Sequence, residues 1–135
     1  MKVGYCYAVC DPLHNGHIEY FKRSKIYCDI LICGILKDEA LTIKPKPIIP
    51  FEQRYRIVES IKYIDLVVPQ EEQSPFKNLM RYGIDILFES ETHKDFNEDA
   101  IKHMDFMSKR IIYTGLYEGQ SSTKIKEKII DTHNS

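Results

Sequence analysis

Three stretches of the chain carry residues whose types and spacing could do chemistry. The first is Asp11-Pro12-Leu13-His14-Asn15-Gly16-His17, two histidines three residues apart with a glycine between them. Imidazoles so placed can donate hydrogen bonds to phosphoryl oxygens whose charge grows in a transition state, and Gly16 lets backbone or ligand approach closely. Two plainer readings stay open. The histidines could cap or decorate a helix start, or Cys10, His14 and His17 could supply three metal ligands. Structural zinc takes four ligands and no fourth stands at an obvious spacing, so tightly bound zinc is not expected. The second stretch is the polar loop Lys37 to Pro50, whose Lys44 and Lys46, taken by themselves, read more readily as a solvated loop than as an anion site. The third is Glu118-Gly119-Gln120-Ser121-Ser122-Thr123-Lys124-Ile125-Lys126. A glycine followed by hydroxyls and a lysine before a helix favours phosphate; the same residues also read as an ordinary Ser/Thr cap.

These stretches need elements to hold them. Residues 2–8 (KVGYCYA) read as a strand and 16–27 as a helix with Ile18 and Phe21 on one face. Residues 29–36 (DILICGIL) are a nearly continuous apolar run, as in a strand buried on both faces of a parallel sheet. A helix from Phe51 to Lys62 spaces Phe51, Tyr55, Val58 and Ile61 along one side. Residues 65–68 form a third strand ended by Pro69, a helix near 75–82 follows, and 84–88 (IDILF) form a fourth strand. Asn97 can cap a helix to about Lys109 with Ile101, Met104 and Met107 as its stripe. Residues 110–114 (RIIYT) make a fifth strand, and a last helix starts near Ser121 or Ser122. This alternation predicts one domain over 1–135, a doubly wound, Rossmann-like α/β fold with a five-stranded parallel sheet and helices on both faces. Ligands bind at the carboxyl ends of such strands. The three stretches follow the first, second and fifth strands.

Composition narrows the class. The 135 residues are 43% hydrophobic and 29% charged, and 19 Lys and Arg against 20 Asp and Glu leave a net charge of −1. A nucleic-acid-coating protein would carry a basic excess, so nucleic acid is not an expected partner. No run nears the roughly 18 apolar residues of a membrane span, and the first residues lack a signal-peptide pattern. A cytoplasmic protein with reduced Cys6, Cys10, Cys28 and Cys33 is expected.

Taken together, the stretches resemble the cytidylyltransferase family, including its glycerol-3-phosphate, phosphocholine and phosphoethanolamine branches. That family carries H-x-G-H after its first strand and R-T-E-G-I-S-T-T before its last helix. Here the matching residues are His14-Asn15-Gly16-His17 and Leu116 to Thr123. The likeness continues through Asp38-Glu39, Lys44, Lys46, Glu52-x-Arg54, Ile61 to Asp65 and Val67-Val68-Pro69, and spans residues 2 to about 130. There are departures. The family's G-T-F-D is Ala8-Val9-Cys10-Asp11, its leading arginine is Leu116, a helix-end arginine is Lys62, and an aspartate pair is Ser90 and Glu91.

The resemblance implies roles. Backbone N–H groups at Val9 and Cys10 would hold nucleotide phosphates, with Asn15 and Gly16 beside them. His14 and His17 would stabilise the transferring α-phosphoryl group. Lys46 would contact the triphosphate; Lys44 and Lys77 would hold the acceptor. Glu118, Gly119, Gln120, Ser121, Ser122 and Thr123 would close over the nucleotide. The implied reaction moves CMP from CTP, with Mg²⁺, onto a small phosphorylated acceptor, in a homodimer. Two rivals are an adenylyltransferase of the same superfamily using ATP, and an inactive nucleotide-binding sensor.

Overall fold

The computed structural model describes residues 1–41, 46–90, 96–114 and 122–134. The elements alternate as the apolar patterning predicts: β1 (Val3–Ala8), α1 (Asn15–Lys25), β2 (Ile30–Leu36), a 3₁₀ turn (Asp38–Ala40), α2 (Phe51–Glu59), β3 (Leu66–Gln70), α3 (Phe76–Tyr82), β4 (Ile86–Ser90), α4 (Glu98–Phe106), β5 (Arg110–Thr114) and α5 (Ser122–Asn134). All pairings are parallel, and the strand order is β3-β2-β1-β4-β5. The chain reverses direction across the sheet between β1 and β4, which makes that seam the topological switch point.

Period-2 alternation sends side chains to two cores. Cys6, Ala8, Leu31, Cys33, Ile35, Val67, Ile86 and Phe88 pack beneath Phe21 of α1 and Val58 of α2. Tyr5, Tyr7, Ile32, Leu36, Val68 and Leu87 pack beneath Leu79 of α3 and Ala100 and Met104 of α4. Burial on both faces is why these strands read as continuous apolar runs.

Several expected boundaries move. Pro69 lies inside β3 and pairs with Ile35; β3 is an edge strand, where a missing N–H is tolerated. β4 starts and ends two residues later than expected, which brings Glu89 and Ser90 into the strand. α2 ends at Glu59 and α4 at Phe106. Met104 is fully buried, whereas Met107 is half exposed beyond the end of α4. Asn97 stands at the N-cap position of α4 but its side chain makes no capping bond. Its amide goes elsewhere, to Glu89. All four cysteines are free thiols. Among the described residues, no helix is long and apolar enough to cross a membrane.

Candidate active site

The site is built on the turn from β1 into α1. β1 ends at Ala8, and Cys10 takes a left-handed conformation, φ 58°, which costs a non-glycine residue about 1 kcal/mol or more. Neighbours hold it there. Arg54 is fully buried and spreads its guanidinium over three partners. Nε donates to Ile49 O at 2.9 Å, Nη1 to Val9 O at 2.8 Å and Nη2 to Asp38 Oδ1 at 2.7 Å. Clamping Val9 O fixes the plane of the Val9–Cys10 peptide, so the Cys10 N–H points away from Arg54. Asp11, 4% exposed, accepts from Ile48 N and Ile49 N at 2.8 Å each and from Lys126 Nζ at 2.8 Å. Burial pushes its carboxyl up, but Lys126 and the two amides outweigh burial and hold it below the usual range.

Both histidines belong to the helix cap. His14 is the N-cap of α1, and its Nδ1 accepts from Gly16 N at 2.9 Å. His17 Nδ1 in turn accepts from His14 N at 3.1 Å. The pair is a reciprocal capping box with imidazoles in place of hydroxyl and carboxylate. An Nδ1 that accepts carries no proton, so each neutral ring carries its proton on Nε2 and keeps one donor for a ligand. The rings lie 3.9 Å apart. Burial lowers His14; burial and then the charge of His14 lower His17 to about 3. Two neutral donors thus sit beside the N–H groups of the helix start, the geometry that favours anions. Capping does not preclude phosphate recognition here, because the cap engages Nδ1 and leaves Nε2 unused by it.

The last helix docks on the same turn. Ser122 Oγ donates to Pro12 O at 3.0 Å, and Lys126, one turn later, pairs with Asp11. Spacing of i and i+4 puts both on one face of α5. Two helix N-termini therefore meet at the carboxyl end of β1.

A cytidylyltransferase-like family model matches residues 5–128, which include the whole of this arrangement. The chain belongs to the cytidylyltransferase-like family. It is 32% identical over 133 residues to the glycerol-3-phosphate cytidylyltransferase of Staphylococcus aureus, covering 96% of each chain. It is 35% identical over 92 residues to the FAD synthase of Archaeoglobus fulgidus, covering 68% of this chain and 66% of that one. A solved structure of a lipopolysaccharide core biosynthesis protein from Thermoplasma volcanium shares the fold, with TM-score 0.73, 23% identity, and coverage of 89% of this chain and 99% of that one. With these relatives the protein is a nucleotidyltransferase.

In this cytidylyltransferase-like site, Val9, Cys10, His14, Asn15, Gly16, His17 and Ser122 come together at the β1 end, though Ser122 spends its hydroxyl on Pro12 O, and Thr123 is exposed on the first turn of α5. Lys46 is exposed. Lys77 is exposed on α3 and pairs with Glu72 at 2.7 Å. Lys44, Glu91, Leu116, Glu118, Gly119, Gln120 and Ser121 lie outside the described residues. Cys10 is buried among apolar side chains, which pushes its thiol up. Among the described residues no group of three or more His, Cys, Asp or Glu could hold a metal ion, and both oxygens of Asp11 are engaged.

Residue types and spacing did not single out Arg54, Asp11 and Lys126 as the frame of the site. One signal was present. Arg54 interrupts the apolar stripe Phe51, Val58, Ile61 at stripe spacing, and a charge on a buried face needs buried partners. The Asp11–Lys126 pair spans 115 residues and leaves no local trace.

Proposed function

We propose that the protein transfers CMP from CTP to a small phosphorylated acceptor, such as glycerol 3-phosphate, phosphocholine, phosphoethanolamine or a related phosphonate. The observation that carries this reading is the convergence of two Nε2–H donors and two helix N-termini on the end of β1, in a chain alike over nearly its whole length to a glycerol-3-phosphate cytidylyltransferase. An anionic oxygen of the acceptor attacks the α-phosphorus in line, a new P–O bond forms, and the bond to the β-phosphate bridging oxygen breaks toward pyrophosphate. The attacking oxygen is already charged, so positioning and charge stabilisation supply most of the acceleration.

In this scheme His14 and His17 donate to the α-phosphoryl oxygens, and the amides near Val9 and Cys10 meet the phosphates. Lys46 reaches the triphosphate, Lys44 and Lys77 the acceptor phosphate, and the Glu118 to Thr123 stretch covers the nucleotide. Mg²⁺ arrives with the triphosphate and neutralises its charge. The enzyme works in the cytoplasm as a homodimer. A second reading, transfer of AMP from ATP, has its own support in the FAD synthase likeness. Pyrophosphate release with CTP or ATP, against a panel of phosphorylated alcohols, amines and phosphonates, decides between them. Release with CTP and one acceptor supports the first reading. Release with ATP alone replaces it with the second, and nucleotide binding with no release from any pair leaves a sensor.

A further inference from the structure

We infer that Glu89 is a positioning residue that must be protonated for the site to hold a nucleoside triphosphate, so that nucleotide binding takes up a proton. This rests on the nucleotide-binding reading above. Glu89 is the penultimate residue of β4, at the carboxyl end of the sheet. The ladder between β1 and β4 pairs Gly4 with Ile86 and Tyr5 with Leu87, and among the described residues it goes no further. The ladder between β1 and β2 continues to Ala8 and Ile35. Where the β1–β4 ladder stops, a polar cluster fills the seam: Tyr7 from β1, Glu89 from β4 and Asn97 before α4, each at most 2% exposed.

Each connection leads to a working part. Tyr7 stands two residues before Val9. Tyr20, one turn after His17 on α1, donates its hydroxyl to Phe88 O at 2.8 Å and feels the Glu89 charge. Asn97 gives up capping α4 and donates to Glu89 Oε2 at 2.5 Å. Its buried Oδ1 lacks a donor among the described residues. From β5 the register partner of Glu89 is Tyr113, half exposed. Among the described residues, Tyr7 is the titratable group hydrogen-bonded to Glu89; Tyr20, on the other face of the sheet, and Tyr113, its register partner, are the further phenols near it.

Burial pushes the Glu89 carboxyl up to about 7, while hydrogen bonds from Tyr7 and Asn97 pull the other way. The ionised form sets a negative charge at the sheet end that a triphosphate must approach. The neutral form removes that charge and offers an O–H, the kind of partner that Asn97 Oδ1 lacks. Whichever ligand favours the neutral form must, by reciprocity, bind with uptake of a proton.

Calorimetric titration of CTP and of ATP, each with Mg²⁺, in buffers of different ionisation enthalpy tests this between about pH 6 and about pH 8. The wild type is expected to take up as much as about one proton, with affinity falling toward tenfold per pH unit above neutrality. Protons exchanged by the nucleotide itself are common to all variants. Glu89→Gln, which keeps a donor and cannot ionise, should bind without the Glu89-linked uptake and with a flatter pH profile. Glu89→Met, which has no donor, should bind more weakly than Glu89→Gln. Equal proton uptake and equal pH slopes in wild type and Glu89→Gln overturn the inference while the nucleotide reading stands. A folded wild type that binds neither nucleotide at any pH overturns both. If Glu89→Gln does not fold, Tyr7→Phe keeps the question open to test. It removes a bond that favours the ionised form, so the midpoint of proton uptake should move to higher pH; an unmoved midpoint overturns the inference.

Discussion

The two faces of the sheet are held together differently. Under α1 and α2 the core is mainly apolar: Cys6, Cys10, Phe21, Leu31, Cys33, Ile35, Val58 and Phe88 pack together, and the polar groups around them, the Cys6 and Cys33 thiols and the Tyr20 and Tyr55 hydroxyls, bond to backbone carbonyls. At its carboxyl rim, Arg54, Asp11 and Lys126 clamp the turn that carries the histidines. Under α3 and α4 the core contains polar groups well inside. Tyr5 donates to Gln70 Oε1 at 2.6 Å and accepts from Asn78 at 2.9 Å, and Tyr7, Glu89 and Asn97 form the second cluster. A mainly apolar core supplies stability without direction, since apolar burial scales with area. Hydrogen-bonded groups in a core are costly when unpaired and so impose one arrangement. The first face therefore supports a rigid turn from below, and the second sets the spacing of the strands that flank the seam.

The sharpest break in that contrast should come from the rim clamp. Arg54→Met is expected to lose about 3 kcal/mol or more, because Val9 O and Ile49 O lose their donor and Asp38 its partner. Arg54→Lys should not restore it, since one ammonium cannot span three acceptors. Denaturant midpoints of both variants check this.

Next come the histidines. His14→Ala and His17→Ala should each lower turnover on the order of a hundredfold or more, by loss of a transition-state donor. His17→Asn separates the two ring functions. Its amide oxygen stands near the place of Nδ1 and can keep the cap, while nothing replaces Nε2. Turnover should fall as in His17→Ala, while the melting temperature stays near wild type. A His17→Asn enzyme of normal turnover would reduce His17 to a cap.

On the polar face, Gly34→Ala should cost about 1–3 kcal/mol by overpacking. A Cβ there would stand 1.9 Å from Tyr5 Oη and 2.8 Å from Gln70 Oε1. Thermal denaturation with intact far-ultraviolet dichroism measures it; a wild-type midpoint would mean that this network shifts freely.

The smallest effect is one of pH. His17 is lowered to about 3 in the folded chain against roughly 6.5 unfolded. Between those values the unfolded state binds the extra proton, so the stability associated with His17 is complete above the unfolded value and declines as pH falls toward the folded one. Melting temperature should fall by a few degrees from neutral pH to about pH 5, and by less in His17→Asn. Parallel curves for the two proteins would count against a buried neutral imidazole.

Much of this architecture was legible in the residues. Apolar patterning marked the strands and most of the helices, because a face that must leave water repeats at 2 or 3.6 residues wherever it occurs. The position of His14-Asn15-Gly16-His17 between a strand and a helix was legible for the same local reason. The resemblance across residues 2 to about 130 named the family. Sequence could not decide what depends on partners far along the chain. The strand order that makes β1 and β4 the seam, the frame of β4 that buries Glu89, and the diversion of Asn97 from its cap all follow from which surfaces meet. So does the choice of ring nitrogen. A histidine is written the same way in either tautomer, and only the folded turn, presenting one N–H to each Nδ1, leaves Nε2 to face a ligand. Burial patterns are local and survive in the one-dimensional text. Pairings between residues 11 and 126, or 9 and 54, are set by closure of the whole sheet and exist only after it forms.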